Sequence, residues 1–427
     1  MKFIYLTLLT TLITMAACNN ESNNTNGNTE NPPIEGKLKR GDWRAVLYLN
    51  EDKSLELPFV FNVEGDEKLT IINAEERIQV TDITIEENGN VSIKMPVFDS
   101  EIKAKIKEKK KGEMLLVGAW HNYNKKDYSL AFEATHGDNI RFHSSFLKVE
   151  KPTKTVAGKW EVMFSPGTED AYPAMGIFEQ TEDGKVSGTF LTETGDYRYL
   201  EGVFDDSNIE LSCFDGAHAF LFKAQWLDGK LKGIFFSGKH SEEPWVAERK
   251  NQVKLAKMDT LTYLKPGYDR LEFSFPNLKK EMVSLSDPQF QNKAVIVQIL
   301  GSWCPNCMDE TRFLVELHNK YHKDGLEIIG IDYEVINRFE KFEENITKLK
   351  KDLNIPYTMV FGGAAKKSEA SKTLPMLNHI MSYPTAIFID RQGNIQKIHT
   401  GFAGPGTGEY YEDYKKSTIA LVDSLLQ

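Results

Sequence analysis

The chain has 427 residues, of which 41% are hydrophobic, 27% charged and 11% aromatic. This is the composition of an ordinary globular protein, and the length predicts two or three domains. The net charge is −10, and the one basic run, at residues 103–111, reads as the solvated tip of a hairpin. Because phosphate binding needs clustered lysine and arginine, no nucleic-acid partner is expected.

The N-terminus reads as a secretion signal that ends in a lipidation site. Met1 and Lys2 precede an apolar run at residues 3–17, which is too short to cross a bilayer comfortably. The ending Met-Ala-Ala-Cys resembles a bacterial lipobox, which implies a signal peptide at residues 1–17 and a lipid anchor on Cys18. A plain secretion signal with a chance cysteine is the alternative. A lipid on Cys18 would tether the protein to a membrane that it does not span.

Residues 18–35 are predicted to be a disordered tether. They are mostly Asn, Glu, Ser, Thr and Pro, and cannot bury enough apolar surface to offset the chain entropy. Asn19 favours the outer membrane over the inner membrane by the enteric sorting rule. The expected location is therefore the cell envelope, with the folded part facing the periplasm.

The next part of the chain has the pattern of a tandem duplicated, antiparallel all-β region. Short runs with period-two alternation recur between turns rich in Gly, Asn and Asp. Gly-Asp-Trp at 41–43 matches Gly-Lys-Trp at 158–160, which predicts β repeat 1 at 36–150 and β repeat 2 at 151–250. Two unrelated β segments are the alternative. The pattern does not choose between sandwiches, barrels and one shared sheet.

Aromatic and sulfur side chains of this β region are predicted to lie mainly in its core. Cys213 reads as a free, buried thiol on a strand. The tryptophans read as core more than as a platform for a ligand: Trp43, Trp120, Trp160, Trp226 and Trp245.

After residue 250 the pattern changes to alternating strands and helices. This predicts a linker at 251–267 and an α/β domain at 268–427. The run at 294–300 is continuously apolar, as expected for a central strand buried on both faces. The first helix is predicted at 304–323 and is ended by Gly325. A second helix is predicted along an apolar stripe that begins at Val335, and a terminal helix from about Tyr410. Further strands are predicted at 271–275, 282–285, 326–332, 357–361, 385–390 and 394–400.

The stretch Gly-Ser-Trp-Cys-Pro-Asn-Cys, residues 301–307, joins the central strand to the first of these helices. Cys304 therefore lies at a helix N-terminus, where unpaired N–H groups and the helix dipole favour a thiolate. Pro305 suits the first turn, where its missing N–H would have no partner. Cys307 follows one turn later and can close a ring with Cys304 or attack a mixed disulfide formed on it. The spacing favours a redox cycle.

Metal binding and an inert disulfide are the alternatives. A structural zinc site needs a second Cys or His pair, and the other cysteines are Cys18 and Cys213. His318 and His322 lie four residues apart on the predicted helix, but no third ligand is evident, so no metal is predicted. An inert disulfide would close a loop too short to restrict the unfolded chain much.

A second feature lies downstream, where Tyr383-Pro384-Thr385 opens a predicted strand. The proline would face the dithiol across the end of the sheet. Proline is the residue for which a cis peptide bond costs little, and a cis bond at Pro384 would leave neighbouring backbone free to pair with an extended substrate. A proline in the trans form at the strand opening is the alternative.

With these residues in place, residues 268–427 resemble the thioredoxin-like TlpA/ResA family of membrane-tethered thiol–disulfide oxidoreductases. The matching parts are the strand and dithiol at 294–310, the strand at 325–332 and the segment at 383–395. Trp-Cys-x-x-Cys after a buried strand, followed about 80 residues later by x-Pro-Thr, is a specific combination. The resemblance covers about two fifths of the chain.

The resemblance implies a role for each site residue. Cys304 is expected to be the attacking thiol, Cys307 the resolving thiol and Pro384 the cis-proline. Trp303 would shield the site, and Tyr383 would narrow or redirect the choice of substrate. The Cys304–Cys307 disulfide would be the redox group, so no cofactor is expected.

Two positions depart from related proteins. Gln298 stands where thioredoxin has a buried Asp that helps to deprotonate the resolving cysteine. Glu310 and Glu334 are therefore the candidate proton acceptors. Gly301 stands three residues before Cys304, where peroxiredoxins have a threonine, which argues against peroxide chemistry.

The expected function is a lipid-anchored thiol–disulfide oxidoreductase outside the cytoplasmic membrane that reduces protein disulfides. The direction depends on a reduction potential that the sequence does not fix. Proteins with disulfides are the expected substrates, and a membrane thiol reductase is the expected electron donor. The alternative is a lipoprotein whose duplicated β region binds a ligand or a protein, with the thioredoxin fold as a redox sensor.

Overall fold

The computed structural model describes residues 37–108, 113–142 and 151–427, which form two β regions followed by an α/β domain. This order confirms the predicted fold class. The predicted signal peptide, the tether with Cys18 and the tip of the basic hairpin fall outside the described residues. Within the described ranges, every helix is too short or too polar to cross a membrane.

The first β region is one nine-stranded antiparallel sheet in which strands consecutive in the chain pair with each other, except the fourth and fifth. The first and last strands also pair with each other, so the sheet closes on one side. The fourth and fifth strands do not pair, which leaves it open there. The strands are β1 Gly41–Tyr48, β2 Glu56–Gly65, β3 Lys68–Asn73, β4 Glu76–Val80, β5 Asp82–Ile85, β6 Asn90–Lys94, β7 Ser100–Glu108, β8 Met114–Asn122 and β9 Ser129–His136.

The second β region is a closed eight-stranded barrel, and its strands also follow chain order. Its interior is filled with aromatic rings, including Phe190, Phe222 and Trp245. Cys213 is a free thiol with no exposed surface in this core, as the sequence predicted. The strands are β10 Gly158–Phe164, β11 Tyr172–Gln180, β12 Lys185–Thr192, β13 Leu200–Phe204, β14 Asn208–Phe214, β15 Ala219–Leu227, β16 Lys230–Ser237 and β17 Ser241–Arg249.

The two β regions begin in the same way. Trp43 and Trp160 each donate the indole N–H to the carbonyl oxygen four residues earlier, at 3.0 Å and 2.8 Å. Both rings are buried, as are Trp120 and Trp245, which confirms the predicted core position for four of the five tryptophans. Trp226 is half-buried.

The α/β domain contains a five-stranded sheet in the order β22-β21-β20-β23-β24. Its central strand, β20, is buried at every position. This strand pairs with β21 in the parallel direction and with β23 in the antiparallel direction. The strands of this domain are β18 Phe275–Pro276, β19 Met282–Val283, β20 Ala294–Leu300, β21 Leu326–Glu334, β22 Thr358–Ala364, β23 Thr385–Ile389 and β24 Ile395–Thr400. The helices are α1 Pro305–Tyr321, α2 Phe339–Asp352, α3 Lys367–Thr373 and α4 Glu409–Leu425, with short 3-10 turns at Met258–Thr260, Pro288–Phe290, His322–Asp324 and Pro405–Thr407.

Some predicted elements differ from the observed ones. The strands expected at 271–275 and 282–285 shrink to the two-residue strands β18 and β19. Val335 was expected to begin the second helical stripe, but it precedes α2 and its side chain is exposed. The helix α3 was not predicted, because its seven residues carry only one buried side chain and so lack an apolar period. Residues 251–267 carry a 3-10 turn whose Asp259 pairs with His399, so part of this predicted linker packs on the α/β domain.

The two β regions and the α/β domain pack into one unit. The two β regions meet where Asn73 donates a hydrogen bond of 2.9 Å to the carbonyl oxygen of Phe214. The α/β domain meets the first β region where the Lys348 ammonium donates to the carbonyl oxygens of Met95 and Phe98, at 2.7 Å and 2.8 Å. Because side chains of one part donate to backbone carbonyl groups of another across these junctions, the three parts are packed together and are not joined by flexible linkers alone.

Candidate active site

The two cysteines of the predicted redox pair lie where the sequence places them. β20 ends at Leu300, and α1 begins at Pro305 with Cys304 as its N-cap residue. Cys304 and Cys307 are joined by a disulfide. The Cys304 sulfur accepts a hydrogen bond of 3.2 Å from the backbone N–H of Cys307. A thiolate at Cys304 would thus be stabilised by this N–H and by the helix dipole.

The peptide bond between Tyr383 and Pro384 is cis, as the sequence predicted. The Cys304 sulfur lies 3.6 Å from the carbonyl oxygen of Tyr383, so the proline segment and the dithiol face each other at one end of the sheet. The Pro384 carbonyl accepts a hydrogen bond of 2.8 Å from the Gly401 N–H. These contacts place Pro384 beside the reacting sulfur.

Trp303 and Tyr383 form an aromatic edge around Cys304. Their rings meet edge to face, with centroids 5.5 Å apart. The Trp303 indole donates a hydrogen bond of 2.9 Å to the Tyr333 carbonyl oxygen, and the Tyr383 hydroxyl donates to the Ala365 carbonyl oxygen at 3.0 Å. Both rings are therefore held at a polar end, which leaves their apolar surfaces beside the disulfide.

Glu310 is fully buried one helical turn after Cys307 and on the same side of α1. Burial raises the pKa of this carboxyl to about 7, against the smaller lowering effect of hydrogen bonds from Gln298 and Tyr414. Gln298 donates to Glu310 at 2.9 Å and to the Cys307 carbonyl oxygen at 3.3 Å. The neutral amide at the thioredoxin Asp position therefore bridges the backbone carbonyl of Cys307 and a buried carboxyl whose pKa is raised to about 7.

Glu334, the other candidate acceptor, lies in a different carboxyl pair at the end of β21. Burial raises the pKa of both Glu334 and Asp332, and the Glu334 charge raises that of Asp332 further. Asp332 accepts a hydrogen bond of 2.9 Å from the Ser302 N–H, and Asn345 donates to both Ser302 and Glu334 at 3.1 Å. This pair thus supports the loop before the dithiol. Asp332 is not among the site residues predicted from the sequence, although its position at the end of a buried strand was a usable signal.

One group of described residues could hold a metal ion. His318, His322 and Glu327 have ligand atoms within 4.8 Å of one another. Glu327 supplies the third group that the sequence did not reveal, from the start of β21. It already pairs with His322, at 3.3 Å. The group lies at the C-terminal end of α1, opposite to the dithiol.

The second β region also reaches the dithiol, which the sequence did not predict. A cavity of about 500 Å³ lies over Cys304, and the loop between β12 and β13 forms one of its walls. Asn306 donates a hydrogen bond of 3.3 Å to the Asp196 carbonyl oxygen in this loop. No local pattern marks such a contact, because it joins residues far apart in the chain.

Behind the loop, Arg198 is buried among carboxylates from all three parts of the protein. It pairs with Glu76 of the first β region at 2.7 Å, with Asp215 of the barrel at 3.4 Å and with Asp309 of α1. Burial raises the pKa of Glu76 despite the nearby Arg198 charge. The cluster fixes the barrel against the helix that carries the dithiol.

Comparison with known proteins agrees with this geometry. Residues 266–398 match the model of the AhpC/TSA family. The chain is 29% identical over 150 residues to the thiol-disulfide oxidoreductase ResA of Bacillus thuringiensis, which covers 35% of this chain and 76% of the relative. It is 33% identical over 111 residues to the thiol:disulfide interchange protein DsbE of Pasteurella multocida, which covers 26% of this chain and 52% of that protein.

A solved thiol-disulfide oxidoreductase from Bacteroides fragilis is 22% identical, covers 34% of this chain and 99% of its own, and aligns with a TM-score of 0.27. The resemblance predicted from residues 268–427 is confirmed by the family match and the curated relatives.

Proposed function

We propose, from the likeness of residues 266–398 to thiol–disulfide oxidoreductases, that this protein is a protein thiol–disulfide oxidoreductase that reduces disulfides. The observation that carries the proposal is the Cys304–Cys307 pair at a helix N-terminus, opposite a cis Pro384 and above a buried Glu310. We further propose that the chain is anchored by a lipid on Cys18 in the outer membrane and faces the periplasm.

The proposed reaction has two steps. The Cys304 thiolate attacks one sulfur of the substrate disulfide, forms a mixed disulfide and releases the first substrate thiolate. Glu310 then accepts the Cys307 proton, and the Cys307 thiolate attacks the Cys304 sulfur and releases the second substrate thiolate. The substrate gains two electrons, and this protein is left with the Cys304–Cys307 disulfide. A membrane thiol reductase would return two electrons to that disulfide.

Trapping of substrates tests the proposal. Cys307→Ser removes the resolving thiol, so mixed disulfides on Cys304 should accumulate in the native envelope once free thiols are blocked. Mass spectrometry should then identify defined proteins that are released by reductant. The double variant Cys304→Ser, Cys307→Ser is the matched control and should trap nothing, and Cys18→Ala should leave the membrane fraction. If the trap holds no protein at normal expression, the proposed function is wrong.

A further inference from the structure

Access to the attacking cysteine is controlled by two domains. Cys304 is only 6% exposed. The cavity over it has Trp303 and Tyr383 of the α/β domain on one side and the barrel residues Thr192–Tyr197 and His218 on the other. A group that reacts with Cys304 must therefore enter between the barrel and the dithiol.

The barrel wall is residues 192–197, the end of β12 and the first part of the β12–β13 loop, and it contacts the segments on both sides of the reacting sulfur. Asn306, two residues after Cys304, donates to the Asp196 carbonyl oxygen at 3.3 Å. Ser382, two residues before Pro384, donates to the Thr194 carbonyl oxygen at 3.3 Å. The loop thus spans the gap between the two active-site segments.

This wall is fixed and does not resemble a mobile lid. The Gly404 N–H donates a hydrogen bond of 2.6 Å to the buried carboxylate of Asp196. Arg198, two residues after Asp196, forms the buried ion pairs with Glu76 and Asp309. To swing the loop outward, the protein would have to separate buried charges, which is costly. The width of the entrance is therefore set by the fold.

The cavity over Cys304 adjoins a second cavity whose lining includes polar side chains. This second cavity, of about 630 Å³, shares Tyr197, His218 and Trp303 with the first and extends between the two β regions. Asn306 lines the first cavity, and among the described residues nothing donates to its buried Oδ1.

We propose that the Thr192–Tyr197 loop of the barrel is the specificity wall of the dithiol. It admits a disulfide carried on a slender peptide segment and excludes a disulfide set in the surface of a folded domain. The inference rests on the proposed oxidoreductase function and adds to it a role for the second β region.

Three carriers of the same leaving group test the wall. They are dithiobis(nitrobenzoate), a short peptide with one cysteine blocked by nitrothiobenzoate, and a folded protein with one surface cysteine blocked likewise. The reduced Cys304 thiolate attacks the carrier sulfur, forms a mixed disulfide and releases coloured nitrothiobenzoate. The stopped-flow rate of each carrier with the protein is divided by the rate of the same carrier with free dithiothreitol. This ratio removes differences in the intrinsic reactivity of the carriers. The peptide should then react at least about tenfold faster than the folded carrier.

A matched pair of variants assigns the selectivity to the loop. Thr194→Trp narrows the cavity and should slow the peptide about tenfold while the small reagent stays within about twofold. Thr181→Trp places the same ring at the opposite end of the barrel and should change neither rate. Urea unfolding of the Thr194 variant checks that it is folded, because the cysteines of an unfolded chain would also react with the small reagent.

The outcomes separate the two proposals. Equal normalised rates for the peptide and the folded carrier would overturn the specificity wall while leaving the oxidoreductase function in place. Equal slowing of the peptide and the small reagent by Thr194→Trp would also overturn it. If the reduced wild-type protein released nothing even from the small reagent, the oxidoreductase function would be overturned, and the wall with it.

Discussion

Burial changes the acid–base chemistry of Glu310. An exposed glutamate is fully ionised at neutral pH, but burial beside Gln298 and Tyr414 raises the pKa of Glu310 to about 7. Both protonation states are then populated near neutral pH. A group with such a pKa can accept a proton from Cys307 and return it later, which is what a resolving step needs.

Replacement of this carboxyl should change the pH dependence of the resolving step. In Glu310→Gln we expect release of substrate from the Cys304 mixed disulfide to be about 100-fold slower above pH 7, because no carboxylate takes the Cys307 proton. In the wild type, the rate should rise as the pH passes through about 7. Single-turnover stopped-flow measurements across this range check the prediction. Glu316→Gln, on the exposed side of α1, is the matched control.

The same variant has a stability readout of defined sign. The Glu310 pKa is higher in the folded state than the ordinary value of 4.5, so the folded state binds the proton more tightly. The wild-type free energy of unfolding should fall by up to about 3 kcal/mol as the pH rises from about 4.5 to about 7. Urea unfolding of Glu310→Gln should lack this fall. An unchanged pH profile in both measurements would remove Glu310 from the mechanism.

Residue types were easier to predict than their ionisation. The dithiol, Pro384 and the carboxyl at Glu310 are visible in the sequence, because helix-start and strand patterns place them at one end of the sheet. The coupling of Asp332 with Glu334 is not visible, since it depends on how deeply α2 buries the end of β21. Burial of this kind is decided by packing between elements distant in sequence.

At the scale of elements, the two β regions share structural features beyond the Gly-x-Trp match in their sequences. In both β regions the first strand pairs with the last, and each opens with a tryptophan bonded to the preceding turn. The barrel closes fully, whereas the first region stays open between β4 and β5. At this open edge, Glu76 at the start of β4 forms an ion pair with Arg198 of the barrel. The sequence leaves sheet, sandwich and barrel open because alternation fixes which face is buried and not how the edges pair.

Close approach between the barrel loop and the α/β domain depends on Gly401, which follows β24. Its φ is 86°, and a Cβ there would lie 2.4 Å from the Thr194 carbonyl oxygen. Gly401→Ala should therefore lower the free energy of unfolding by about 2–4 kcal/mol, from the strained φ and the clash together. Urea unfolding measures it.

Gly408 provides the control for this prediction. It also has a positive φ, of 59°, but a Cβ there meets nothing within 4 Å. Gly408→Ala should carry only the cost of the strained backbone, about 1–3 kcal/mol, with no clash added to it, and so should lose less stability than Gly401→Ala. Equal losses in the two variants would show that the contact with Thr194 contributes nothing to stability.

At the scale of the whole molecule, three parts that look separable in sequence converge on one buried arginine. Patterns within each part predicted an all-β region and an α/β domain, but no pattern links Arg198 to Glu76 and Asp309, 122 and 111 residues away. Contacts between domains leave no periodic signal. The position of the barrel over the dithiol could therefore be found only in the folded structure.

Removal of Arg198 should loosen this assembly. Arg198→Met leaves the buried carboxylate of Glu76 without its cation and removes one cationic partner each from Asp215 and Asp309, so we expect a loss of about 3–5 kcal/mol in the free energy of unfolding. Arg312→Met is the matched control, because Arg312 pairs with the same Asp309 but has a side chain that is 51% exposed. It should cost less than about 1 kcal/mol.

The Arg198 variant also connects stability to access. If the ion cluster holds the Thr192–Tyr197 loop in place, the loss of Arg198 should raise the reaction rate of Cys304 with the folded carrier more than with the small reagent. Urea unfolding and stopped-flow release of nitrothiobenzoate measure the two effects on the same preparation. A destabilised protein whose selectivity stays unchanged would mean that the cluster stabilises the fold without setting the width of the entrance.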